Sequence, residues 1–145
     1  MQRIYETYSE EETFQLGEAL GQEAKPGDVY TLTGDLGTGK TVLAKGIAGG
    51  LGVKESVSSP TFLVMQMYES GRMPFYHFDV YRIADADEMD EIGYEDCIYG
   101  EGLSLIEWAE LITEILPENR TEITIEKELE KGFDYRKITV SEVGV

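Results

Sequence analysis

Cysteine and histidine occur once each in the 145 residues, as Cys97 and His77. A lone cysteine has no partner for an internal disulfide, which fits a reducing, cytoplasmic setting. So few ligands also argue against a transition-metal centre built on them. Long apolar runs are missing: none approaches the length that crosses a bilayer, so no membrane partner is expected. The N-terminus lacks the basic-then-apolar pattern of an export signal. Positive charge is scarce as well. Twelve Lys and Arg stand against 29 Asp and Glu, a formal net charge of −17. Nucleic-acid binding over a broad surface needs clustered cations that displace counterions, and this balance argues against it. The acidity leaves two readings open: a solvated surface kept apart by like charge, or an acidic face that docks on a basic partner. The length suits a single domain, residues 1–145, with its own core. No repeat, linker or low-complexity tract interrupts it.

What is present is a glycine loop. Gly34-Asp35-Leu36-Gly37-Thr38-Gly39-Lys40-Thr41 is a complete G-x-x-x-x-G-K-[ST] phosphate-binding motif. The preceding Val29-Tyr30-Thr31-Leu32-Thr33 is β-branched and aromatic, as a buried strand is. The following Thr41–Leu51 segment repeats Leu43, Ala44, Ile47, Ala48 and Leu51 at helical spacing, with Val42 in its first turn. Strand, loop and helix together are the context the motif requires. The glycines let backbone N–H groups turn toward phosphates, and the helix N-terminus adds partial positive charge. Lys40 reaches the terminal phosphates and Thr41 offers its hydroxyl to Mg2+. The expected ligand is a nucleoside triphosphate, bound by Gly34 through Val42.

The rest of the chain supplies a frame. Arg3–Thr7 reads as a short edge strand. Ser9 with Glu12 forms a capping box that opens a helix carrying Leu16, Leu20 and Ala24 on one side. Pro26-Gly27 turns the chain, and Gly49, Gly50 and Gly52 end the helix after the loop. Phe62–Tyr68 and Pro74–Arg82 flank Ser70-Gly71 as a hairpin. The acidic stretch Asp85–Tyr99 is helical in part. Leu103–Ile106 is a short apolar strand, and Ala109–Leu116 a short helix stopped by Pro117. Glu122–Glu128 and Tyr135–Val143 alternate apolar and polar residues as a second hairpin around Lys131-Gly132. The predicted fold class is α/β: a three-layer P-loop NTPase sandwich, its parallel central sheet extended at the edges by antiparallel strands.

A triphosphatase also needs a carboxylate at the end of a neighbouring strand, opposite Thr41. Two candidates compete. Glu107 closes the apolar run Leu103–Ile106. Asp79 sits in Phe75–Arg82, where period-two geometry puts His77, Asp79 and Tyr81 on one face and Phe78, Val80 and Arg82 on the other. Such polar groups are costly to bury without a task. The plainer readings are a solvated strand end for Glu107 and a structural pair with His77 or Tyr81 for Asp79. Trp108 reads equally well as core. Ser58-Ser59-Pro60-Thr61-Phe62 lies where many triphosphatases place a loop that senses the γ-phosphate. There Thr61 offers a hydroxyl to phosphate or metal, although a serine–proline turn explains the composition as well.

G-D-L-G-T-G-K-T, S-P-T-F, H-F-D-V-Y-R and I-E-W follow one another in that order. The combination resembles the TsaE family, small bacterial P-loop ATPases that help make threonylcarbamoyladenosine in tRNA. The resemblance runs from the helix at Ser9 to Trp108. It implies an ATPase working with a heterodimer of two related proteins, which transfers a threonylcarbamoyl group to the tRNA adenosine beside the anticodon. It also implies that Thr61, Asp79 and Glu107 line the nucleotide site. Lys40, Asp79 and Glu107 are then the expected catalytic residues, and Thr41 with Glu107 the expected Mg2+ ligands.

Two other classes share the loop. A small-molecule kinase usually adds an arginine-bearing lid, but no two of Arg3, Arg72, Arg82, Arg120 and Arg136 lie close in sequence. A GTP-driven regulatory switch of the common kind carries Asn-Lys-x-Asp, whereas the one asparagine here, Asn119, precedes Arg120. ATP is therefore favoured. Arg82 is the only arginine in a motif near the predicted site, and it faces away from Asp79. Slow hydrolysis by the isolated chain follows, with a partner completing the site. By the same charge argument, tRNA is reached through the partners.

Overall fold

Two of the strands are buried on both faces, and that fixes the centre of the sheet. In the computed structural model, residues 2–35, 38–57, 65–81 and 88–144 are described. Their strands are β1 (Gln2–Thr7), β2 (Val29–Thr33), β3 (Met65–Tyr68), β4 (Phe75–Asp79), β5 (Leu103–Glu107), β6 (Arg120–Lys127) and β7 (Arg136–Val143). Every residue of β5 and the first four of β2 are buried, as strands covered on both faces must be. The strands form one sheet in the order β1-β7-β6-β2-β5-β4-β3. Strands β6, β2, β5 and β4 run parallel; β3 joins one side and β7 with β1 the other, all antiparallel. This is the expected parallel centre with antiparallel edges. Both hairpins form where the turn residues place them. The part of the first that involves residues 62–64 lies outside the described residues.

Helices α1 (Glu10–Glu23) and α2 (Lys40–Gly50) cover one face. At the start of α1 the Ser9 hydroxyl accepts from the Glu12 N–H at 3.1 Å. The Glu12 carboxylate returns to the Tyr8 N–H at 2.8 Å, one residue earlier than a capping box prescribes. The contact between the helices is made of glycine. A Cβ at Gly21 would stand 2.1 Å from the Ile47 carbonyl oxygen, and one at Gly50 2.1 Å from that of Glu18. Gly17 and Gly46 meet in the same way. The expectation that Gly49, Gly50 and Gly52 merely stop the helix is thus half the account. Helix α2 does end at Gly50, but Gly46 and Gly50 also let two backbones approach to contact.

The opposite face is covered by α3 (Glu88–Glu91), α4 (Tyr94–Ile98) and a 3-10 helix at Ala109–Ile115. The short helix expected over 109–116 is present and is of the 3-10 kind, broken at Ile112 with φ −128° and ψ 32°. Two cores result. Leu20, Leu32, Leu43, Ile47, Phe75, Leu105 and Ile123 pack under α1 and α2, and Val29, Phe78, Val80, Met89, Tyr94 and Ile106 on the other side. Among the described residues no helix is long and apolar enough to cross a membrane.

Candidate nucleotide site

Strand β2 delivers the loop to the carboxyl end of the parallel strands, where open α/β sheets bind ligands. Leu36 and Gly37 lie outside the described residues. The remainder is tied down by its own polar atoms. The Thr38 side chain is buried, and its hydroxyl donates to the Asp35 carbonyl at 2.7 Å. Gly39 caps α2 at φ 98°, a left-handed conformation that only glycine adopts without strain. The first turn of α2 holds no acidic residue and its cap makes no side-chain hydrogen bond, so the helix dipole faces the loop uncompensated. Thr41 is exposed in that turn and Val42 half-buried.

Lys40 is the first residue of α2. Its ammonium stands 4.0 Å from Glu107 Oε1 and 4.8 Å from the centroid of the Trp108 ring. Glu107 is buried at the end of β5, 5% exposed, so it is no solvated strand end. Register pairs it with Asp79 on β4, bringing the two predicted acids side by side. Asp79 is half-buried, and its Oδ1 accepts from the Tyr81 N–H at 3.1 Å as β4 ends. His77 pairs with Glu107 instead, Nε2 to Oε2 at 2.7 Å. Trp108 is half-buried rather than core. It holds φ 64°, a left-handed backbone that costs a bulky residue about 1–3 kcal/mol. That turn sends the chain from β5 into the 3-10 helix and lays the indole against Tyr81, ring centroids 4.7 Å apart, and over Lys40.

On the other side of the loop lies a hollow of about 480 Å³. Its walls are Glu10 and Thr13 of α1, Thr38 to Val42, Lys127 at the end of β6, and Phe133, Asp134 and Arg136 of the hairpin. Arg136 braces the loop: its Nε donates to the Thr38 carbonyl at 2.6 Å, while Nη1 donates to the Phe133 and Tyr135 carbonyls. Phe133 is 80% exposed, an aromatic face open to a ligand. A second hollow, of about 560 Å³, sits at the opposite end of β2 among Arg3, Glu23, Arg120 and Glu142, away from the loop.

A model of the family described as threonylcarbamoyl adenosine biosynthesis protein TsaE matches residues 7–138. The chain belongs to the TsaE family. The tRNA threonylcarbamoyladenosine biosynthesis protein TsaE of Bacillus subtilis is 45% identical over 140 residues, which cover 97% of this chain and 85% of that one. Its namesake in Treponema pallidum is 40% identical over 117 residues, covering 81% and 86%. The crystal structure of Bacillus subtilis YdiB aligns with a TM-score of 0.85 at 41% identity, over 99% of this chain and 87% of that chain. The architecture is accordingly that of a P-loop NTPase.

For this TsaE-family chain, the sequence names the whole loop and both acids, and the structure brings Lys40, Asp79 and Glu107 together. Thr61, the Ser58–Phe62 loop and Arg82 lie outside the described residues. Sequence reasoning missed Arg136, Lys127 and Phe133. The available signal was topological: once β6 is parallel to β2, its end and the start of β7 must lie beside the loop. Of the two partners open to Asp79 in the plainer reading, Tyr81 is the one that bonds it, through its N–H, while His77 turns to Glu107 on the neighbouring strand. As for a metal, the Thr41 hydroxyl and the Glu107 carboxylate are hard oxygen donors. Among the described residues no group of three or more His, Cys, Asp or Glu makes a self-sufficient cage. Two protein oxygens beside a phosphate loop suit Mg2+ arriving with a triphosphate.

Proposed function

We propose that this chain is a Mg2+-dependent ATPase that serves threonylcarbamoyl adenosine biosynthesis by acting on a threonylcarbamoyl-transferase heterodimer in the cytoplasm. The observation that carries the reading is the convergence of Lys40, Glu107 and Asp79 on one side of the phosphate loop, with a base-sized hollow on the other. ATP spans the loop in this reading. Its base and ribose occupy the hollow, with Phe133 as a stacking face. Its phosphates lie along Gly34 to Thr41, and the terminal ones meet Lys40. Thr41 and Glu107 hold Mg2+, which supplies charge neutralisation on the phosphate oxygens. Asp79 orients the attacking water, and Thr61 contacts the phosphates or the metal.

The same charges explain why a partner is needed. An arginine that neutralises the transferring phosphoryl group is worth about 10³ to 10⁵ in rate. Arg136 braces the loop on the side of the hollow, away from the acids. The isolated chain is therefore a slow ATPase in this reading, completed by its partner. Residues 83–119 contain no Lys or Arg. Within that span α3, α4 and the 3-10 segment hold seven acidic residues and no basic one. Such a face is suited to docking on a basic protein surface, and tRNA is met through that complex.

The test is ATP turnover by the isolated chain, titrated with the transferase heterodimer at two salt concentrations. Slow basal turnover, stimulation that weakens with salt, and at least ~100-fold loss in a folded Lys40→Ala variant are expected. Unchanged turnover in Lys40→Ala would sink the assignment of the loop. Fast turnover without any partner would sink the coupling.

A further inference from the structure

We propose that His77 is a positioning residue for Glu107, fixing which carboxylate oxygen faces the phosphate loop. The inference rests on the reading above in which Glu107 holds the metal.

The geometry is specific. In the parallel pair β4–β5, His77 lies opposite Leu105, two residues before Glu107 and on the same face of the sheet. Its imidazole reaches diagonally along the strands, and Nε2 lies 2.7 Å from Glu107 Oε2. A carboxylate offers only acceptors, so Nε2 carries the hydrogen. The other oxygen, Oε1, is the one 4.0 Å from the Lys40 ammonium. The two oxygens are thus divided, one held from below by His77 and one presented to the loop.

Such a division needs an agent. The terminal torsion of a glutamate is broad, and burial alone does not select an orientation. His77 is itself held: it is 1% exposed, and its ring stacks on Phe75 with centroids 5.8 Å apart and planes at 27°. Phe75, His77 and Glu107 therefore form a chain from the core to the site. The strand pattern explains the otherwise costly choice of histidine in the middle of β4. An apolar residue there would leave Glu107 Oε2 buried without its donor.

A structural role alone also predicts damage on substitution, so the experiment separates metal from fold. Two quantities are measured: Mn2+ affinity of the protein–ADP complex by paramagnetic resonance, and ADP affinity in EDTA. His77→Leu should weaken Mn2+ binding by about 10-fold or more, the usual loss when a ligand's orienting partner is removed. ADP affinity in EDTA should barely move. His77→Gln, which keeps an N–H of similar reach, should restore most of the Mn2+ affinity. In a Glu107→Gln background, His77→Leu should have little further effect on Mn2+. If His77→Leu does not fold, His77→Asn takes its place, since the shorter amide falls short of Glu107.

Equal losses in both quantities, or the same Mn2+ loss with Glu107 already replaced, would overturn the proposal. So would a His77→Leu protein that binds Mn2+ as wild type does while Glu107→Gln binds it weakly. That last result spares the metal role of Glu107. Wild-type Mn2+ affinity in Glu107→Gln removes that role, and the positioning role with it.

Discussion

The two layers on either side of the sheet are built by different means. One consists of two long helices, α1 with 14 residues and α2 with 11, whose backbones touch through glycines. The other consists of α3 with four residues, α4 with five and a broken 3-10 segment, packed by larger side chains such as Tyr94, Met89 and Ile112. The first layer carries the phosphate loop at the start of α2. Along its seam at Gly17, Gly21, Gly46 and Gly50 an added methyl group has nowhere to go. The second joins the sheet through the strained Trp108 turn, and its helices hold acidic residues without a single basic one. In the first layer, by contrast, the acidic α1 lies beside Lys40 and Lys45 of α2. Precision in this molecule is concentrated where backbone must meet phosphate, and charge where a partner would meet protein.

The largest effect should come from breaking the tight layer. In Gly21→Ala the new Cβ would meet the Ile47 carbonyl at 2.1 Å, backbone against backbone, so α1 and α2 must separate. The expected loss is about 3 kcal/mol, the upper end for overpacking a core. Denaturant unfolding measures it, and nucleotide affinity should fall too, because α2 carries the loop. Near-wild-type stability would mean that the helices part freely, and the contrast between the layers would collapse.

That glycine seam also marks the limit of reading the chain alone. The loop, the strand before it and the acid ending β5 are legible because each is a local pattern with a local cause: glycine conformations, apolar periodicity, a carboxylate at a strand end. Gly17, Gly21, Gly46 and Gly50 carry no such signal, since their role lies in what another helix puts opposite them. Arg136 was invisible for the same reason. It sits nearly a hundred residues from Thr38, and β-sheet order alone joins them. The short helix after Trp108 was legible as a helix but not as a 3-10 one, because the left-handed turn at Trp108 and the break at Ile112 leave no mark in the apolar period. Local chemistry and the two hairpins were readable; contacts between elements distant in sequence were not.

Next in size are the acids at the border of the two layers. Asp79→Asn should cut hydrolysis by about 100-fold while leaving nucleotide affinity nearly intact, as loss of a group acting on the reacting water does. Glu107→Gln should instead weaken the Mg2+ dependence of binding. Single-turnover rates and binding isotherms with and without Mg2+ separate the two. Swapped results would reverse the assignment, and identical results would mean one shared role.

Arg136 tests how far the rigid side extends beyond α1 and α2. Its guanidinium links the hairpin to the Thr38 carbonyl by a 2.6 Å hydrogen bond. Arg136→Ala should weaken nucleotide binding by about 10-fold, the order of one charge-assisted hydrogen bond. Arg136→Lys should recover little, because an ammonium cannot span Thr38, Phe133 and Tyr135 together. Calorimetric ADP affinity checks both. Undiminished binding would place the support of the loop in α1 and α2 alone.

The smallest effect makes the sharpest comparison, because it repeats the first substitution in the other layer. Gly93 caps α4 at φ 75°, and a Cβ added there would meet nothing within 4 Å. The same methyl group that collides with backbone at Gly21 therefore costs only conformation. For an L-residue in the left-handed region that is about 1 kcal/mol. Gly93→Ala should lower unfolding stability by that amount and leave nucleotide binding unchanged. Gly93→Asn should cost less, since asparagine tolerates this backbone better than alanine does. If Gly93→Ala instead destabilises as much as Gly21→Ala, the acidic layer is packed as tightly as the glycine seam. The asymmetry between the two sides of the sheet would then lie in charge alone.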